Sequence, residues 1–332
     1  MPVDTPASAS RRVRAIVAAG VVGVLACGGF VIASLYVDLP DWSTRVAATL
    51  LAALYATALS VRLGGRPLLP AVLVIAYGAV ATATGWQTLL GGAAVGMAVL
   101  AASLAIMATV PAPTVRRAVV ETVIAAVVAT FGGLGCRGFA AGLHQDRFAS
   151  IVLGLTLLAA FVIVYRLGAG FHGLGRRGYV VAITAAVVLV LALAYTAAFD
   201  RWGNPTVIGH LDDLRDYVRD HLHAVPHPIE VLLGIPALCW GIFMRARRRQ
   251  GWWVCAFGAA LTAPSAGRFV VVGVSAKTAA ISVGYTLVLG FIVAWLVIRV
   301  DQALTGNRGR RARRDEEADA HRPEPGRFEA LR

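Results

Sequence analysis

The 332-residue chain is 58% hydrophobic, only 15% charged, and carries a formal net charge of +13. Its mean hydropathy is +0.71. Soluble domains average about 45–50% apolar and about 25% charged residues, and a chain of this size cannot hide such an excess in a core while keeping a wettable surface. The composition therefore excludes an ordinary soluble protein and predicts an all-α integral membrane protein, a polytopic helix bundle.

A helix needs about 20 apolar residues to cross the hydrocarbon core. Residues 15–37, preceded by Arg11, Arg12 and Arg14, make the first expected span. Residues 46–61 make a short second one, bracketed by Arg45 and Arg62, whose long stems are expected to snorkel to the two interfaces. Residues 68–86, 88–110, 118–135, 149–165 and 179–199 follow as spans three to seven. A polar interval at 200–228 precedes the eighth span at 229–244. The ninth, 252–263, is short and expected to break near Pro264-Ser265-Ala266-Gly267-Arg268, and residues 278–298 form the last. The sum is about ten transmembrane helices.

The basic residues alternate in support of this order. One set of loops carries Arg62 and Arg66; Arg116 and Arg117; Arg166, Arg176 and Arg177; and Arg245, Arg247, Arg248 and Arg249. The C-terminal segment adds Arg308, Arg310, Arg311, Arg313 and Arg314. The intervening loops are poorer in arginine or balanced by acids, as where Arg201, Arg215 and Arg219 sit among aspartates. By the positive-inside rule both termini are expected in the cytoplasm of a bacterial cell, with the bundle in the plasma membrane. Residues 1–14 would form a cytoplasmic N-terminal segment and 300–332 a charged, disordered cytoplasmic tail. Reporter fusions at Gly309 and Gly209 are expected to show opposite sides; the same side for both would overturn this topology.

Two motifs near the N-terminus are weighed and set aside. Ser10-Arg11-Arg12 is similar to a twin-arginine signal, and Val24-Leu25-Ala26-Cys27-Gly28 resembles a lipobox. Arg14 stands where the first pattern calls for an apolar residue, and the apolar run continues ten residues past Cys27. An intact signal-anchor helix is expected instead. Cys27, Cys136, Cys239 and Cys255 show no metal-type spacing, and no disulfide framework is indicated. Gly92 and Gly96 form a GxxxG, assigned to helix packing. Lys277 is the single lysine, which points to a GC-rich coding sequence rather than to arginine chemistry.

Ionisable residues inside the membrane are costly and commonly functional, and this chain has few. Glu121 stands about one turn inside the fifth span, four residues after Arg117, the spacing of a helical ion pair. Glu230 opens the eighth span, where a carboxylate suits a helix N-terminus. Asp38 and Asp41 sit in the short first outer loop beside Trp42. Membrane glycosyltransferases that use polyprenyl-linked sugars place acids in their first outer loop, but that loop is much longer. A helix end and turn is the expectation here.

The strongest polar concentration is 200–228, expected outside. Leu211, Leu214, Val218 and Leu222 recur at helical spacing, which predicts one extracytoplasmic amphipathic helix. Asp216, Asp220 and His223 share another face, a candidate metal or catalytic set, although Asp212 and Asp216 already have arginines at i+3. No catalytic residue, cofactor or metal ligand is assigned. The expected partners are membrane lipids, with anionic headgroups at the 245–249 and 308–314 arginines, and an envelope protein; nucleic acid is not expected. Three functions are compatible: a permease or lipid/envelope-precursor translocation component, a non-catalytic membrane assembly factor, and a membrane enzyme acting on a lipid-linked substrate. An enzyme is the less expected class.

Overall fold

The computed structural model describes residues 6–34, 36–139, 145–167, 183, 187, 227–247, 251–270, 276–305 and 324–331. Every regular element among them is helical. In chain order these are α1 (Pro6–Ala33), α2 (Asp41–Arg62), α3 (Leu68–Thr84), α4 (Gln87–Met107), α5 (Val115–Gly138) and α6 (Gln145–Arg166). A π-helical turn (Glu230–Gly234) then leads into α7 (Ile235–Arg245), followed by α8 (Gly251–Ala256), α9 (Ala259–Gly267) and α10 (Ala276–Thr305). A 3-10 turn, Arg268–Val270, closes α9.

Six helices among the described residues are long and apolar enough to cross a membrane: Arg14–Ala33, Asp41–Arg62, Gln87–Met107, Val115–Gly138, Arg147–Arg166 and Ile281–Ala303. Leu68–Thr84 is apolar but shorter. The described residues are thus those of an all-helical chain compatible with a membrane protein, and among them six uninterrupted spans stand against the sequence count of about ten. The eighth and ninth expected spans are present as interrupted elements, and 179–199 lies outside the described residues apart from Ile183 and Val187.

The helix ends follow local chemistry. Pro40 precedes α2, and Asp41 in its first turn complements the positive N-terminal end of the helix dipole. Gly85 ends α3 in the left-handed region at φ 65°, its N–H donating to the Ala81 carbonyl. Thr114 caps α5 by accepting from the Arg117 N–H. Inside the bundle, hydroxyls have nowhere to find water. Thr49, Thr57, Thr122 and Ser265 each donate to the carbonyl four residues back.

The interrupted pair α8–α9 lies at the centre. α9 packs on α4, α5, α6 and the π-helical turn, and α8 on α7 and α6. Nearly every residue from Gly251 to Ala266 is buried. The break comes at Phe257-Gly258, earlier than the sequence suggested. There the Gly258 N–H donates to Cys255 and the Leu261 N–H to Gly258, bonds one residue tighter than in an α-helix. α9 then continues through Pro264. Phe269, in the closing 3-10 turn, packs with Val31, Ala47 and Leu134.

Small residues permit this packing in lipid, where apolar surface alone gives helices little reason to associate. A side chain at Gly133 of α5 would run into the Ala266 backbone of α9. Gly241 of α7 lies against Cys255 of α8, and Gly138 against Ala48 of α2. The GxxxG is only half used: Gly92 meets the Tyr77 hydroxyl, whereas Gly96 has no neighbour within 4 Å.

Candidate functional site

Two polar clusters stand at opposite ends of α7. Fifteen residues separate Glu230 from Arg245, about 22 Å of helix at 1.5 Å per residue.

At the Arg245 end, the tips of α2, α4 and α7 and the start of α5 converge. Arg62 is the last residue of α2 and is 2% exposed. Its Nε donates to the Met107 carbonyl at 2.8 Å and its Nη2 to the Thr109 carbonyl at 3.4 Å. Its Nη1 reaches the carbonyls of Pro325, Gly326 and Glu329. The Leu331 N–H donates back to the Arg62 carbonyl at 2.8 Å. Arg62 therefore does not snorkel; it is enclosed by the carboxy-terminal segment.

Arg245, the last residue of α7, is wholly buried. Its Nη1 donates to Thr109 Oγ1 at 2.7 Å, and its Nη2 to the Thr109 carbonyl at 3.2 Å and to Glu324 Oε2 at 2.5 Å. The guanidinium lies 3.4 Å above the Trp252 ring, a cation–π contact in a dry setting. Arg327 completes the set, pairing with both Glu121 carboxylate oxygens at 2.8 and 3.0 Å and donating to the Ala108 carbonyl. Glu121 also accepts from the Val110 N–H at 3.0 Å. The expected partner of Glu121, Arg117, is thus replaced by an arginine 206 positions away. Residues 324–331 form a packed clasp where the sequence suggested a disordered tail.

At the other end, Glu230 is 2% exposed and accepts from Arg268 Nη2 at 3.0 and 3.1 Å. His227 Nδ1 lies 4.0 Å from Glu230 Oε1 and 3.3 Å from Ser282 Oγ of α10. The His227 N–H donates to Thr286 Oγ1 at 3.0 Å. Burial first, and then the Arg268 charge, hold the His227 imidazole below its usual pKa, so the neutral ring is favoured.

The π-helical turn has a local cause. Pro236 has no N–H to return to the carbonyl of Leu232, and the Ile235 N–H reaches Glu230 instead, one residue further than in an α-helix. Gly234 then allows the Leu261 backbone to approach, since an added Cβ would stand 2.5 Å from its nitrogen.

The other sequence candidates fare differently. Asp38 is exposed, and Asp41 pairs with Arg45 at 3.4 Å with its side chain 78% exposed. Asp41 opens α2, and Asp38 lies in the connection before it. Asp41→Asn should change stability by only about 0–1 kcal/mol, the range for exposed ion pairs; a collapse in the thermal midpoint in detergent would contradict the placement. Asp216, Asp220 and His223 lie outside the described residues. So do the arginines at 248, 249 and 308–314. Cys136, Cys239 and Cys255 are buried free thiols, and Cys136 donates to the Ala94 carbonyl at 3.3 Å.

Sequence reasoning missed the clasp and the role of Arg268. The available signal was Glu324-Pro325-Gly326-Arg327, a turn dipeptide framed by opposite charges at the far side of a highly charged run. No protein-family model, characterised relative or solved structure matches this chain.

Proposed function

We propose that this multi-pass membrane protein is a permease or a lipid/envelope-precursor translocation component, with both termini on the cytoplasmic side of a bacterial plasma membrane. The observation that carries the reading is the discontinuous, buried α8–α9 segment, which meets the π-helical turn and runs between two buried ion-pair clusters. Interrupted helices at the centre of a bundle mark the substrate sites of many carriers, because broken backbone is tolerated only inside protein or along a cavity. The Glu230–Arg268 pair lies at one end of the segment and the Arg62–Arg245 cluster at the other. Each is a charge pairing that alternating access would have to break and remake.

The test is deletion of the gene followed by lipid and metabolite profiling, which presupposes no substrate. Accumulation of one compound on one side of the membrane supports the reading. Glu230→Gln is expected to abolish complementation of the deletion while protein level stays within about twofold, since the neutral side chain keeps the shape and loses the charge pairing with Arg268. Full complementation by that variant would remove the Glu230–Arg268 pair from the mechanism.

A second reading, a non-catalytic membrane assembly factor, is favoured by the close packing of α5 on α9, with Gly133 against the Ala266 backbone. It predicts an unchanged metabolite profile and the loss of a partner complex from native gels.

A further inference from the structure

The clasp places two buried guanidinium groups, Arg62 and Arg245, around a single hydrogen-bonded carboxylate, Glu324. Among the described residues, Glu324 is hydrogen-bonded by Arg245 alone. Arg62 is met by carbonyl oxygens alone, and three of its five acceptors belong to residues 325, 326 and 329. Arg245 Nε, fully buried, has no acceptor at all. Arg327 is matched by Glu121, and Arg62 feels the charge of Glu329 as well as Glu324, so what the clasp leaves unmet is a buried N–H donor, Arg245 Nε. If the clasp leaves, Arg245 loses the one carboxylate that bonds it among the described residues, and Arg62 most of its acceptors. Two cations at the end of an apolar bundle cannot remain dry without an anion.

We propose that this cluster is a phosphate-binding site that the chain's own Glu324 occupies as a stand-in ligand. Guanidinium forks match phosphate oxygens, and a phosphate offers more acceptors than a carboxylate. Thr109 holds the Arg245 head from the protein side and Trp252 lies beneath it, so the framework remains when the clasp is gone. Arg62 and Arg245 are the last residues of their helices, the depth of lipid headgroups. The ligand is thus a phosphate group in a compound of net negative charge, from an anionic headgroup or from a soluble phosphate compound. The inference goes beyond the transport reading and does not require it.

The test uses the full chain in nanodiscs and follows amide hydrogen exchange over residues 324–331, where the Leu331 N–H is bonded to Arg62. In phosphatidylcholine the clasp should be protected. If the source is a headgroup, phosphatidylglycerol discs should speed exchange about tenfold, by population shift toward the open clasp. If it is soluble, inorganic pyrophosphate should do so in phosphatidylcholine discs. Glu324→Gln should bind the favoured probe about tenfold more tightly than wild type, because the competing internal anion is removed, and Glu324→Asp should restore the wild-type value. The proposal is overturned if neither probe speeds exchange in the wild-type chain. It is equally overturned if a folded Glu324→Gln chain binds no better. The wild-type arm does not depend on how any variant folds.

Discussion

Arg245→Leu is expected to lower stability by about 3 kcal/mol and to release residues 324–331 from the bundle. Removing one member of a buried ion pair typically costs about 3–5 kcal/mol, because the remaining charge is stranded. Here Glu324 can recover its hydration by undocking, so the lower end of that range applies. Thr109 cannot escape: its hydroxyl and its carbonyl both lose a donor. Glu324→Gln keeps the arginine and an acceptor oxygen, and should cost about 1–2 kcal/mol. Chemical denaturation in neutral detergent, with cleavage after Arg327 as a second readout, gives both values. Equal effects for the two variants would mean that the charge pairing with Glu324 carries the whole contribution and that the Thr109 bonds and the Trp252 contact add little.

The second large effect is expected at the α5–α9 contact. Gly133→Ala should destabilise by about 2–4 kcal/mol despite the better helix propensity of alanine, because the new methyl has only the Ala266 backbone to displace. Gly96→Ala is the control. Its position borders no heavy atom within 4 Å, so the change should stay within about 0.5 kcal/mol of wild type or stabilise slightly. Thermal midpoints of the two purified variants decide the matter; a harmless Gly133→Ala would place α9 further from α5 than described.

These two sites also show what the sequence carries and what it hides. Apolar run length located α2, α4 and α5 to within a few residues, because lipid imposes one long helical stretch per crossing. The arginine alternation grouped Arg62 with Arg245, and direct bonds to Thr109 now join them at one end of the bundle. Pairing was beyond reach. Glu121 has Arg117 at an ideal helical spacing and bonds to Arg327 instead, since that choice depends on where a distant segment folds back. The same limit applies to Gly133 and Gly96: both look like packing glycines in a list of residues, and only the neighbouring helix distinguishes them. Arg62 read as an interface residue because a stem of that length usually finds water. Nothing in its own neighbourhood announced that residues 325–329 would cover it.

The brevity of α8 and α9 bears on how the protein enters the membrane during synthesis. Their six and nine residues are about 9 and 13 Å of helix, well short of the roughly 30 Å hydrocarbon core. Neither half is able to hold a place in lipid alone, and the turn between them would expose backbone groups to hydrocarbon. By the time the ribosome reaches Gly251, the hairpin partners α4, α5 and α6 already exist to receive it. The segment is accordingly a late arrival whose insertion depends on protein rather than lipid, and chains from which α6 has been deleted should leave it on the aqueous side.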